Sequence, residues 1–166
     1  MKKRVLYTGL LTLGIVGSVL STAQAGDGNH LYYQKKGIIE IDGKADFDIE
    51  YDRNGKVTRV KPDNRFARVM MKDIKGYKGK QAQTVVLEVV KKMRAKNMLH
   101  ENPRVKKVEI DIEEGSYVPT KNFFSRLLGS ARKYLSRFKT FVKTDEDIVI
   151  IGNRAVEIDD EVEFDD

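Results

Sequence analysis

"FDIEYDRNGKVTRV", residues 47–60, decides how this chain folds. Phe47, Ile49 and Tyr51 alternate with Asp48, Glu50 and Asp52, the two-residue period of a strand with one buried face. Asn54-Gly55 follows, two residue types that tolerate positive φ, and the chain resumes with Val57 and Val60. The stretch therefore predicts a β-hairpin with a tight turn at Asn54-Gly55. Pro62 closes the returning strand because it has no N–H to give a ladder. The same residues imitate a calcium loop that starts at Glu50 and places Asp52, Asn54 and Gly55 in register. At the end of that loop, where calcium needs a bidentate acid, stands Lys61, and the flanks alternate as strands rather than helices. A solvated hairpin face is the better reading, with Asp46, Asp48, Glu50 and Asp52 pairing across to Lys56, Arg59 or Lys61. No metal site and no cofactor are assigned.

On either side the pattern continues. Leu31 to Ile41 reads as a preceding strand, and Val108, Ile110 and Ile112 alternate with charged residues in a later one. Between them, Asp63 to Lys72 predicts a short helix and Lys80 to Met98 a longer one with Val86, Val89, Val90 and Met93 on one stripe. Strands, helices and then a strand make an α+β fold, a small antiparallel or mixed sheet with helices packed on one face.

These residues resemble a known family. "FDIEYDRNGKVTRVKPDN", "IKGYKGKQAQTVVLEVVKKMRAKNML" and "VKKVEIDI" are similar, over residues 38–112, to the extracytoplasmic domain of RsgI-type anti-sigma factors. The resemblance implies a strand, turn and strand followed by a short helix, a connector, a long helix and a closing strand. It also implies an Asn-Pro pair at which the chain cleaves itself, but the aligned position here is Lys44-Ala45, so that chemistry is not expected. The family's cytoplasmic sigma-binding segment has only Met1 to Arg4 to correspond to it, ahead of the first apolar run.

That apolar run gives an address. Met1-Lys2-Lys3-Arg4 is cationic, Val5 to Leu20 is mostly apolar, and Ala23 and Ala25 are the small residues of an A-x-A cleavage site. Residues 1–25 thus read as a secretory signal peptide cut after Ala25, with a membrane anchor as the uncleaved alternative. The mature protein is expected to be periplasmic or secreted. The leader removes three of the 31 basic residues and none of the 25 acidic ones, leaving 28 against 25, or +3. With so modest a charge and an exported address, nucleic acid is not expected as a partner. The absence of cysteine excludes disulfides and thiol ligands, so stability must come from packing.

Catalysis finds no support in the residues. His30 lies near the mature N-terminus, and His100 reads as a helix-terminal residue favoured by the dipole. Ser116, Ser125, Ser130 and Ser136 have neither a nearby base nor a glycine elbow. No catalytic residue is assigned, and a small carboxylate-dependent enzyme is the remotest alternative.

Residues 121–143, "KNFFSRLLGSARKYLSRFKTFVK", hold seven cations and no acid, with Phe124, Leu127, Leu128, Ala131, Tyr134, Leu135, Phe138, Phe141 and Val142 at helical spacing. This basic amphipathic helix predicts a partner or membrane contact through Arg126, Arg132, Lys133, Arg137 and Lys139. Its wide aromatic stripe favours a place on the sheet over a place in lipid. Asp147 to Ile151 reads as a strand, Gly152-Asn153 as a turn and Ala155 to Ile158 as a return, while Glu157 to Asp166 carries seven acids that would either clasp the seven cations of 121–143 within the chain or form a frayed tail, neither of which needs a ligand. The expected organisation is one α+β domain over 26–151 and an acidic tail over 152–166. Its expected role is a non-catalytic binding or sensing module contacting an envelope protein or a cell-wall polymer. The alternative is a peripheral protein on anionic membrane.

Overall fold

A computed structural model describes residues 36–158 except 101, 103 and 105. The signal segment with Ala23 and Ala25, His30, the start of the first expected strand and the end of the acidic tail lie outside the described residues.

Seven strands and three α-helices are described: β1 (Lys36–Asp42), β2 (Phe47–Asp52), β3 (Val57–Pro62), α1 (Arg65–Met70), α2 (Ala82–Ala95), β4 (Lys107–Ile112), α3 (Phe123–Ser136), β5 (Phe141–Lys143), β6 (Ile148–Ile151) and β7 (Arg154–Glu157). Five strands form one sheet in the order β3-β2-β1-β4-β5, and β6 and β7 form a separate hairpin. The β1–β2, β2–β3 and β1–β4 pairs are antiparallel, while β4 and β5 are parallel and joined through α3. The sheet is therefore mixed and the fold α+β.

Alternation does what the sequence predicts. Ile39 and Ile41 of β1, Phe47, Ile49 and Tyr51 of β2, and Val108, Ile110 and Ile112 of β4 are buried on one face, together with Val85, Val86, Val89, Val90 and Met93 of α2. At about 25 cal/mol per Å² of apolar surface, this shared core supplies most of the drive to fold a chain without disulfides.

The opening turn differs from its expected form. Gly55 has φ 72° but Asn54 is not among the positive-φ residues, and the Gly55 N–H donates to the Asp52 carbonyl at 2.8 Å. The loop thus has three residues, Arg53, Asn54 and Gly55, with glycine alone in the left-handed region. Asp52 Oδ1 accepts the N–H groups of Asn54 and Lys56 at 2.8 and 2.9 Å, so the aspartate organises the turn that the asparagine was expected to make. The same turn anchors the long helix: the Ala82 N–H donates to the Gly55 carbonyl at 2.8 Å. A Cβ on Gly55 would meet Phe123 at 2.9 Å, so the turn also touches the start of α3.

Helix ends are set by local chemistry. Asn64 caps α1, its Oδ1 accepting from Phe66 and Ala67 at 3.0 and 2.9 Å while its amide donates to the Lys44 carbonyl at 3.0 Å. Asn64→Ala is expected to destabilise the domain by about 1 to 2 kcal/mol, read from the urea midpoint, because it removes a cap and a loop tie together. The long helix is shorter than the expected 80–98: α2 stops at Ala95, and Asn97 has φ 56°. His100 therefore is not a helix residue. Its Nδ1 lies 2.9 Å from the Lys107 carbonyl, which ties the loop to β4.

Two further boundaries move. The helix expected over 121–143 spans Phe123–Ser136, because Lys139 takes φ 54° and Phe141–Lys143 leaves to pair with Lys107–Glu109. Phe138, Phe141 and Val142 keep the i, i+3, i+4 spacing of a helix by coincidence of a turn. The domain also runs past 151, since Arg154–Glu157 is a strand and Ala155 is buried, leaving the acidic tail shorter than 152–166. The Ala155 N–H donates to the Ser116 carbonyl, and Val118 donates to Asn153, so the hairpin is stitched to the segment after β4.

Candidate functional site

The five-stranded sheet has an apolar face under the helices and a charged face opposite. On the charged face the register places Glu40 directly between Asp48 and Asp111, and Asp42 opposite Glu109. Like charges placed opposite each other are destabilising. At the rims cations relieve the crowding: Lys61 reaches Asp48 at 2.6 Å, Arg59 reaches Glu50 at 3.6 Å, and Glu109 holds Lys107 and Lys143 at 2.8 and 3.1 Å. The hairpin pairs expected from the sequence thus form at Asp48–Lys61 and Glu50–Arg59. Lys56 and Asp46 do not join them: Lys56 is exposed beside the turn, and Asp46 accepts from Gly43 and Asn64.

In the middle of the face the carboxylates hold their protons tightly. Removal from water, with Asp46 and Glu109 beside it, raises Asp42 to about 6. Glu40 and Asp111, half-buried on the sheet, are raised for the same first reason, reinforced by neighbouring acids, and Glu113, exposed just past β4, is raised by partial removal from water with Asp48 beside it. Glu109 moves the other way because Lys107 hydrogen-bonds its carboxylate, and Asp73 does so because of Lys96.

These shifts have a sign. A carboxyl whose pKa is raised by folding binds more protons folded than unfolded, so its contribution to stability grows as pH falls through the folded value. For Asp42 that window lies between about 6 and the ordinary 3.8. Glu109 and Asp73, held low, keep their contribution above their ordinary values of 4.5 and 3.8 and lose it as pH falls from there through the depressed ones. Urea midpoints should therefore rise from pH 7 to pH 5 and fall again at lower pH. A midpoint that decreases steadily from pH 7 to pH 5 contradicts the acid row. Among the described residues no group of three or more acids and histidines is placed to hold a metal ion.

A second charged surface lies on α3. Leu127, Leu128, Ala131 and Leu135 are buried in the core, with Phe123, Phe124 and Tyr134 packed against it and the Phe138 ring set edge-on to Tyr134. This places the residues expected to make contact on the outside: Arg126, Arg132, Lys133 and Arg137 are all exposed along the helix or at its C-cap, and Lys139 is exposed in the turn beyond. All five stand at exposed positions of one helix and the turn that follows it. Lys143, the last cation of the same run, is drawn instead into the sheet against Glu109.

Two further cations belong to this surface and were invisible in the helix's own sequence. Arg94 of α2 stacks over the Phe138 ring at 3.2 Å, and Lys91 lies 5.6 Å from the Tyr134 ring. The signal for them was present only as exposed positions on the neighbouring helix. Among the described residues none of the seven forms an ion pair, whereas Arg59, Lys61, Lys80, Lys96, Lys107 and Lys143 all do. No helix of the described residues is long and apolar enough to cross a membrane.

Residues 36–154 match the family described as the anti-sigma factor RsgI-like central domain. The chain belongs to that family. The match is longer than the resemblance over 38–112, so α3, β5 and most of the β6–β7 hairpin are parts of the RsgI-like domain and not additions behind it. The family is one of regulatory proteins, which accords with a domain whose charged groups lie on two open surfaces. No curated protein and no solved structure matches the chain. At the aligned self-cleavage position of this RsgI-like domain, the Lys44 and Ala45 N–H groups both donate to the Met98 carbonyl, at 3.2 and 3.1 Å. A proline at 45 would have no N–H to make the second of these bonds.

Proposed function

We propose that this RsgI-like domain is a non-catalytic binding or sensing module outside the cytoplasm, and that it contacts an envelope component through the outer face of α3. One observation carries this reading. Seven cations from α2, α3 and the following turn share a surface on which none is neutralised by a described neighbour, while the sheet's cations are spent on the sheet's own acids. Ion pairs at an exposed surface add about 0 to 1 kcal/mol to stability, so cations that no described residue pairs are little needed by the fold as charges and suit a partner. Export after cleavage at Ala25, and membership in a family of anti-sigma factors, support an extracytoplasmic partner that is a protein or a cell-wall polymer.

The alternative of insertion into anionic membrane loses ground because the apolar side of α3 is in the core. Leu128 is 7% exposed and Leu135 is 0% exposed. Purified chain from Gly26 to Asp166 should co-sediment with bacterial envelope fragments. Arg126→Glu, Lys133→Glu and Arg137→Glu together should reduce that binding by about tenfold or more without moving the urea midpoint, since all three side chains are exposed. Binding unchanged by the three reversals would refute the assignment of this face.

A further inference from the structure

We infer that the outer face of α3 is a track for a linear phosphate-bearing polymer, an inference that rests on the binding role proposed above and names its ligand class. Arg126, Lys133 and Arg137 stand at i, i+7 and i+11, which at 3.6 residues per turn puts them on one line within about 40°. Along the axis they are separated by about 10 Å and about 6 Å. Charge repeated at such intervals along a straight line fits a ligand that carries charge in the same way. Arg132 and Lys139 widen the lane on α3, and Lys91 and Arg94 on the shoulder of α2.

The ground between the cations is low. Ser125, Gly129 and Ser136 are exposed there, and a Cβ added to Gly129 would meet nothing within 4 Å. On α3 itself no large apolar side chain is exposed, for Val69, Phe141, Ile151 and Ile158 all lie outside the helix. A protein partner binds through an interface whose centre is apolar and aromatic. A membrane-surface helix needs its apolar side for the acyl boundary, and here that side is buried. A linear polyanion needs only spaced cations and donors, and guanidinium forks such as Arg126 and Arg137 match phosphate oxygens two at a time.

Long-chain inorganic polyphosphate, labelled at one end, is the probe. Titrated with the chain from Gly26 to Asp166 and followed by fluorescence anisotropy, it should bind with an affinity that falls roughly 20-fold between about 50 and 200 mM salt, as three phosphate contacts require. Arg126→Ala, Lys133→Ala and Arg137→Ala together should abolish that binding. Lys72→Ala, Lys75→Ala and Lys78→Ala, an equal loss of charge from another exposed segment, should change it by less than about twofold. Equal losses in the two triple variants, or vesicles of phosphatidylglycerol or polyglutamate bound as tightly as polyphosphate, would overturn the inference. If envelope fragments are bound through α3 but polyphosphate is ignored, the ligand class falls and the binding role stands. If neither depends on the three α3 cations, both fall.

Discussion

Replacing Gly37 by alanine is expected to destabilise the domain by about 4 kcal/mol, the sum of an overpacked core position and a buried hydrogen bond broken with it. Gly37 lies in β1 directly opposite Tyr51 of β2, and the tyrosine ring lies across it. A methyl group at 37 would stand 2.2 Å from the ring's Cζ and from its hydroxyl oxygen. The ring cannot retreat. It is fully buried, its centroid is 4.9 Å from that of Phe123, and its hydroxyl donates to the Tyr117 carbonyl at 2.8 Å. Glycine is thus required by the volume of its neighbour and not by its own backbone angle. Urea denaturation should show the loss in the wild-type background, and much less of it in a Tyr51→Leu background, because the clash is pairwise. A shift of under about 1 kcal/mol for Gly37→Ala would mean that the ring lies elsewhere.

Leu135→Ala on α3 is expected to cost about 3 kcal/mol, and Leu127→Ala about the same, since both side chains are 1% exposed or less and their removal leaves a cavity in the shared core. Arg137→Ala, two residues from Leu135 on the opposite side, should change stability by no more than about 0.5 kcal/mol. The contrast separates the two faces of one helix by measurement: the apolar face holds the domain together, and the basic face does not. Near-wild-type midpoints for both leucine variants would place α3 off the core and restore the membrane reading.

Much of this was legible in the chain because the decisive signals were local. The alternation at 47–52 and 107–112, and the 3.6-residue stripe at 85–93, specify elements within a few residues, and each of those elements formed. What failed to read was set by distant partners. Phe141–Lys143 continues the helical spacing of the preceding run, and only the free edge of β4, some 34 residues earlier at Lys107–Glu109, makes it a strand. The acid row was hidden for the same reason, since Glu40 meets Asp111 through a pairing 71 residues long. Asn54-Gly55 advertised a two-residue turn, but the Asp52 carboxylate, accepting two N–H groups, moved the left-handed position onto Gly55 alone.

The candidate site shows the same division. Periodicity put Arg126, Arg132, Lys133 and Arg137 on the outer side of a helix, and they are there. The contribution of Lys91 and Arg94 depends on how α2 lies against α3, through the Tyr134 and Phe138 rings, which no single segment records.

Amine footprinting tests the central claim most directly. The chain from Gly26 to Asp166 is acylated with a lysine-selective reagent in the presence and absence of bacterial envelope fragments, and each lysine is quantified by mass spectrometry. Protection of Lys133 and Lys139, with Lys72, Lys75 and Lys78 labelled equally in both conditions, is the result that a binding face on α3 predicts. Protection at Lys72, Lys75 and Lys78 with Lys133 and Lys139 unchanged would contradict it.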